Sequence, residues 1–167
     1  MARPGPTTER AASRRIDVLL VSSAGGHLLQ LMLLSDAWRG MPHAWVTLNR
    51  EDARSLLTGE TVFYGHWPTT RNVPNLLRNL SLAYRLLRRL RPTVIVTTGA
   101  GIAVPFAWAG RLMGARIVYV ESLARVRAPS LSCRLVRPVA DRVYVQWPEL
   151  ARTLSRTRYS GDVLGYA

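Results

Sequence analysis

One short segment combines groups that bind anions with a group that can move a proton. In SSAGGH, residues 22–27, Gly25 and Gly26 precede His27, and a stretch of helical period follows. Glycines allow close backbone approach, and free N–H groups at a helix start attract phosphate. The helix dipole there favours a neutral imidazole, which can accept a proton. The segment indicates either a phosphate site beside a general base or a tight strand-to-helix turn with a surface histidine.

A second segment, TTGAG at residues 97–101, repeats this pattern after an apolar run and before an apolar helix. Neither segment matches GxGxxG or ends in the GK[ST] of a P-loop, so dinucleotide and ATP chemistry have no support. Two such loops at one sheet edge make anion binding more credible than either alone.

A third segment, ESLARVR at residues 121–127, also follows an apolar run. Glu121 there could orient a sugar hydroxyl or assist proton transfer, while Arg125 and Arg127 could neutralise a diphosphate. The alternative is an Arg–Glu pair that only holds the loop. No DxD-like pair of carboxylates follows a strand, so we expect no metal and no other cofactor.

The elements that must position these loops alternate in type along the chain. Short β-rich runs and stretches of helical period follow one another at residues 16–21, 27–38, 44–48, 51–57, 61–64, 74–90, 93–96, 102–113, 116–120, 129–136 and 142–145. This alternation predicts an α/β fold, a mostly parallel sheet with helices on both faces. Ligands bind at the carboxyl ends of such strands, where all three segments lie.

Size and charge narrow the function classes. The 167 residues suit one domain, with residues 1–15 as a loose basic tail and 16–167 as the folded unit. The net charge of +13 is carried by arginine alone and favours nucleic acid, anionic lipid or phosphorylated substrates. Cys133 is the only cysteine, which suits a reducing compartment and a small buried filler. No apolar run approaches the ~20 residues of a membrane-spanning helix.

The helix predicted at 74–90 is amphipathic. A helical wheel assigns to its buried face Leu76, Leu77, Leu80, Ala83, Tyr84, Leu87 and Leu90. Leu82 and Leu86 then lie beside arginines that include Arg85 and Arg89. These four residues are our candidates for contact with an anionic membrane surface, the alternative being a solvated arginine face. A nucleic-acid partner is not expected, because no known module is present and aromatic residues do not alternate with these arginines.

Five segments resemble, in order and spacing, the acceptor-side subunit family of the two-chain UDP-N-acetylglucosamine transferase of lipid-linked oligosaccharide synthesis. They are SSAGGHLLQL, RNVPNLLRNL, RPTVIVTTGAGIAVPFAWAGRLMG, IVYVESLARVRAPSLS and ADRVYVQWPEL. The resemblance extends to PssD-type polysaccharide synthesis proteins and, more distantly, to the amino-terminal half of MurG. It implies one Rossmann-like domain equivalent to the amino-terminal half of a GT-B glycosyltransferase, with the donor-binding domain on a separate chain.

The resemblance also implies roles for residues of this sequence. His27, with Glu121, becomes the candidate catalytic pair. The candidate acceptor and diphosphate ligands are Ser23, Gly25, Gly26, Thr98, Gly99, Gly101, Ser122, Arg125 and Ser132. Two departures stand out: Ser23 replaces a glycine that many eukaryotic members carry, and no amino-terminal membrane anchor is expected.

Two hypotheses follow. The first is an acceptor-binding, membrane-associating subunit of an inverting glycosyltransferase that moves a sugar, GlcNAc or another hexose, from a UDP-sugar to a polyprenyl-diphosphate-linked acceptor. It would lie at the inner face of the cell membrane, in the cytoplasm, and be inactive without the partner that binds most of the UDP-sugar. The second is a non-catalytic scaffold that recruits a complete glycosyltransferase to the membrane.

Overall fold

Seven parallel strands form one sheet in the computed structural model, which describes residues 15–69 and 71–165. They are β1 (Val18–Val21), β2 (His43–Leu48), β3 (Val62–Gly65), β4 (Val94–Thr97), β5 (Arg116–Val120), β6 (Arg142–Val145) and β7 (Arg158–Tyr159). Their order is β3-β2-β1-β4-β5-β6-β7, the doubly wound order that reverses between β1 and β4. The predicted Rossmann-like sheet is confirmed. Apart from Arg15, the predicted tail lies outside the described residues.

Helices connect these strands. In the described part of the chain they are α1 (Gly26–Leu33), α2 (Glu51–Leu56), α3 (Val73–Leu90), α4 (Ala103–Leu112), α5 (Leu131–Val136) and α6 (Pro148–Thr153), with 3-10 turns at Ser35–Ala37 and Arg137–Val139. The sequence patterns predicted the elements up to β6. They did not predict α6 or β7, the second of which has only two residues.

The alternating side chains of β1 enter two separate cores. Leu19 and Val21 pack in a core that contains residues of α3, α4 and α5. Val18 and Leu20 pack in a second core that contains residues of α1 and α2. The sheet therefore carries helices on both faces, as the alternation predicted.

The structure buries a different face of helix α3 from the one that we predicted. Leu86 is buried at 7% exposure and Leu82 packs partly buried against the core, so neither is placed to contact a membrane. Leu77 and Tyr84, assigned above to the buried face, are 59% and 50% exposed. Arg85 and Arg89 are exposed as predicted. The prediction of the buried face was wrong because the helical wheel assigned leucines to it, whereas the structure buries Asn75 and Asn79.

Two buried asparagines on α3 hold the loop that follows β3. The Asn79 side chain accepts the His66 backbone N–H at 2.8 Å and donates to the His66 carbonyl at 3.0 Å. One turn earlier, Asn75 donates to the Pro68 carbonyl at 3.0 Å. These positions are buried because their amides replace water around loop backbone groups. The leucines of this half of the helix consequently face outward.

Glu121 holds the loop that follows β5. It is fully buried, and its two carboxylate oxygens accept the backbone N–H groups of Ser122 and Ser130, each at 2.8 Å. The Ser130 hydroxyl lies 3.1 Å from the Tyr119 hydroxyl and accepts the Cys133 N–H at 3.1 Å. The expected catalytic role of Glu121 is therefore corrected. The carboxylate organises the loop through backbone amides, and not through the arginine that we considered.

We predict that Asn79→Ala lowers the free energy of unfolding by about 1–3 kcal/mol, because it removes a buried amide that pairs with two partly buried backbone groups of His66. Urea denaturation measures the change. Asn49→Ala is the control, because Asn49 is exposed, and we expect it to stay within about 0.5 kcal/mol of wild type. Equally small changes in both variants would contradict the proposal that Asn79 holds the loop that follows β3.

We also predict that the protein loses stability at alkaline pH. Burial, and then the charge of Glu121, raises the pKa of Cys133 to about 12, and burial also raises the pKa of Tyr119. The unfolded thiol ionises near pH 9. Between these values the folded state binds more protons, so the free energy of unfolding falls as pH rises. Urea titrations over this range should show a shallower fall for Cys133→Ala, and an unchanged slope would refute the assignment.

Candidate active site

An open cleft of about 1090 Å³ lies at the carboxyl edge of the sheet, at the β1/β4 switch point. Its walls come from the segments that follow β1, β2, β3 and β4 and from α5. The chain reverses its winding direction here, so the loops after β1 and β4 diverge to opposite faces and leave a crevice.

His27 joins the two glycine segments across this switch point. Its Nδ1 lies 2.8 Å from the Thr98 carbonyl oxygen, and the Thr98 hydroxyl donates to the His27 carbonyl at 2.7 Å. A carbonyl oxygen only accepts, so Nδ1 carries the proton when the imidazole is neutral. His27 also lines the cleft. Its Nε2 is therefore the nitrogen with a free lone pair for a ligand in the cleft.

The next turn of α1 holds the third loop. Gln30 donates from Nε2 to the Glu121 carbonyl at 2.7 Å and accepts the Leu123 N–H at 3.0 Å. The Leu123 carbonyl in turn accepts the Trp147 indole N–H at 2.6 Å. One short helix thus fixes the positions of the loops that follow β4 and β5.

The first glycine loop already holds an anion supplied by the protein. The Gly25 backbone N–H donates to the Asp52 carboxylate at 2.7 Å, and both residues line the cleft. Gly25 has φ of 75°, a conformation that glycine adopts at low cost. A phosphate that binds this N–H must displace Asp52. Within residues 15–69 and 71–165, no three His, Cys, Asp or Glu side chains group as a metal site.

The cleft brings together about half of the predicted residues. Those that line it are Ser23, Gly25, His27, Gly101 and Ser132. Those outside its lining are Gly26, Thr98, Gly99, Glu121, Ser122 and Arg125. Thr98 and Gly99 are buried behind the surface. A Cβ at Gly99 would come within 2.5 Å of the Tyr119 hydroxyl, so this glycine serves packing.

Sequence reasoning missed the cations of the cleft. Arg50 and Arg71 line it, and the Arg50 guanidinium lies 5.5 Å from the ring centre of Trp67, which also lines it. Arg50 and Asp52 belong to the segment NRED after β2, which ends at the same sheet edge as the glycine segments. Inspection of the residues that follow every strand would have identified Arg50 and Asp52 as candidates. Arg71 comes from the loop held by α3 and has no comparable signal.

The cleft opens onto an apolar surface. Val73, Leu76, Leu77, Leu80 and Tyr84 form the apolar face of α3, and all five are exposed. Val73 and Leu76 also line the cleft, as do exposed Leu131 and Leu135 of α5. Among the residues described, no helix is both long and apolar enough to span a bilayer.

Structural comparison shows the fold alone. Acinetobacter baumannii MurG superposes with a TM-score of 0.70 at 16% identity, over 86% of this chain and 45% of that one. The UDP-GlcNAc 2-epimerase of Neisseria meningitidis, solved with UDP-GlcNAc, gives a TM-score of 0.69 at 10% identity, over 88% and 46%. Each of these proteins is about twice as long as the part that matches.

Sequence comparison shows the family. The family described as "Oligosaccharide biosynthesis protein Alg14 like" matches residues 66–163. The UDP-N-acetylglucosamine transferase subunit ALG14 of Yarrowia lipolytica is 39% identical over 89 residues, which span 50% of this chain and 41% of that protein. The human protein of the same name is 25% identical over 182 residues, 89% of this chain and 83% of that protein. The chain therefore belongs to the Alg14-like family of oligosaccharide biosynthesis proteins.

Proposed function

We propose that this chain is the acceptor-binding, membrane-associating subunit of an inverting glycosyltransferase. The enzyme would transfer GlcNAc or another hexose from a UDP-sugar to a polyprenyl-diphosphate-linked acceptor. The observation that carries the proposal is His27 in a cleft that opens directly onto the apolar face of α3. The relatives' name, UDP-N-acetylglucosamine transferase subunit, supports the reaction class.

His27 is the proposed general base. Its Nδ1–H is engaged by the Thr98 carbonyl, so Nε2 accepts the proton of the acceptor hydroxyl. The hydroxyl oxygen forms the new bond to the anomeric carbon from the face opposite the leaving group. The bond from that carbon to the UDP oxygen breaks, and UDP leaves with the electron pair. This single displacement inverts the anomeric configuration.

Arg50 and Arg71 are the proposed ligands of the acceptor diphosphate, replacing Arg125 in our earlier expectation. Both line the cleft, and guanidinium groups match phosphate oxygens in charge and geometry. The predicted residues Ser23, Gly101 and Ser132 lie in the same lining and can contact the acceptor.

The apolar face of α3 is the proposed membrane contact. Exposed Leu77, Leu80 and Tyr84 would enter the lipid interface at the inner face of the membrane, with Arg85 and Arg88 beside them toward anionic headgroups. The polyprenyl tail would leave the cleft past Val73 and Leu76, which belong to both surfaces.

A donor-binding chain is the proposed partner. Helices α1 and α2 cover one face of the sheet over strands β1 to β3. On the same face, strands β4 to β6 carry the half-buried side chains of Val94, Val96, Val118 and Tyr144. These side chains line an apolar groove of about 480 Å³. The matched MurG chain is about twice as long as the shared fold. We assign this groove and the open side of the cleft to the partner.

The function is tested by transfer of sugar from a UDP-sugar to a polyprenyl-diphosphate-sugar, with and without the partner chain. We expect turnover only with both chains. His27→Ala should lower kcat by about 10²–10⁴-fold, the usual contribution of a general base. His27→Asn keeps a donor near the Thr98 carbonyl but has no base, so it should be equally slow.

His66→Ala is the matched control, because His66 lies outside the cleft lining, and it should keep the wild-type rate. Full turnover by the isolated chain would contradict the two-chain proposal. A folded His27→Ala variant that copurifies with its partner and keeps the wild-type rate would favour the scaffold hypothesis instead.

The membrane contact is tested by sedimentation with phosphatidylcholine–phosphatidylglycerol vesicles. We predict that Leu77→Ser with Leu80→Ser weakens binding by about tenfold or more for each leucine, from the loss of roughly 1.5 kcal/mol of apolar burial apiece. The control is Leu29→Ser with Leu33→Ser on α1, two leucines about one helical turn apart with similar exposure. Equal weakening in both pairs would contradict a membrane face on α3.

A further inference from the structure

A second concave site lies at the opposite, amino edge of the sheet. It has a volume of about 650 Å³ and is lined by four arginines: Arg15, Arg88, Arg91 and Arg116. Tyr84 and Met113 contribute apolar surface to its lining. The glycosyltransferase reaction proposed above uses none of these arginines.

Among the described residues, no carboxylate neutralises the four arginines. No Asp or Glu lines the site, and in the described part of the chain none of the four forms an ion pair. By contrast, Arg39 and Arg111 are paired with Asp36 and Asp141. Arg88 contacts Tyr84, with its guanidinium 5.5 Å from the ring centre and 3.3 Å from the hydroxyl.

Helix dipoles do not account for this much charge. The carboxyl ends of α3 and α4 reach the pocket, and each carries a partial charge of about −0.5. Together they offset about one of four positive charges. The remaining excess would attract an external anion.

Arg91 occupies a position that normally suits glycine. It ends α3 with φ of 45° and ψ of 55°, the left-handed conformation. Glycine is the usual residue there because any side chain adds strain. Arg91 takes this conformation nonetheless, and it lines the pocket.

The pocket and the apolar face of α3 lie along one helix. Tyr84 belongs to both, while Val73 and Leu76 connect the face to the cleft. The 18 residues of α3 span about 27 Å, so the cleft and the basic pocket lie at opposite ends of a single apolar stripe.

We propose that this pocket binds the phosphate of an anionic phospholipid headgroup, and so holds α3 flat along the bilayer with the cleft at the membrane surface. This inference rests on the membrane association proposed above. It adds a distinct phosphate site at the end of α3 remote from the acceptor. The apolar face provides attachment, and the pocket determines orientation.

The test is sedimentation of the full chain with phosphatidylcholine vesicles that contain or lack phosphatidylglycerol. The variant is Arg91→Gly with Arg116→Gln. Glycine suits the backbone at position 91, so folding should persist, and a urea titration checks it. The control, Arg152→Gln with Arg158→Gln, removes the same charge from exposed residues outside the pocket.

On anionic vesicles, the pocket variant should bind about 25-fold more weakly than wild type, or fivefold for each arginine, while the control changes much less. Equal losses of binding in the pocket variant and in the control would show that only the overall positive charge matters, and would overturn the proposed site. Calorimetry with soluble glycerol 3-phosphate is the second measurement. If wild type binds this ester as tightly as it binds anionic vesicles, and the pocket variant does not bind it, the pocket is a site for a soluble phosphate ester and the lipid proposal is overturned.

The two proposals fail in different ways. Loss of vesicle binding by the Leu77 and Leu80 variant, with full binding by the pocket variant, would overturn this inference and leave the membrane face standing. Failure of the wild-type chain to bind either kind of vesicle would contradict both.

Discussion

Buried polar side chains hold together the carboxyl edge of this sheet. Loops at the end of parallel strands carry backbone N–H and C=O groups that no ladder satisfies, and a buried group without a partner is costly. Here Gln30 and Asn79 each pair with both a donor and an acceptor of a neighbouring loop. Glu121 accepts two loop N–H groups, and His27 joins the two sides of the switch point. The cleft depends on this network for its shape.

The same requirement explains the unusual exposure of α3. Asn75 and Asn79 occupy buried positions because the loop after β3 needs their amides. The leucines of these turns then face outward. The helix thus positions the cleft loop with one face and offers an apolar surface with another. The shape of the cleft and the proposed contact with lipid therefore depend on a single helix.

The fold could be predicted from sequence because apolar runs and glycine loops mark strands and their ends directly. His27 was identified by its place after a strand and two glycines. Periodicity could not tell which face of α3 is buried, because Asn79 is polar and buried whereas Leu77 is apolar and exposed.

Residue type was equally ambiguous in the loops. Glu121 and Arg125 follow a strand as a ligand-binding pair would, yet one is sealed in the core and the other lies outside the cleft. Arg50 follows a strand end that we did not inspect, whereas Arg71 reaches the cleft through the path of the chain, which no local motif records.

The contact between the Gly25 N–H and the Asp52 carboxylate has a consequence for affinity. A phosphate that binds this loop replaces the Asp52 carboxylate. Its affinity therefore reflects only the difference between the free energies with which the loop binds the two anions. The displaced carboxylate must be rehydrated or find another cation, and Arg50 is two residues away in the chain. The Asp52 carboxylate thus keeps the loop in an anion-binding geometry, and it would compete with the phosphate of the proposed acceptor.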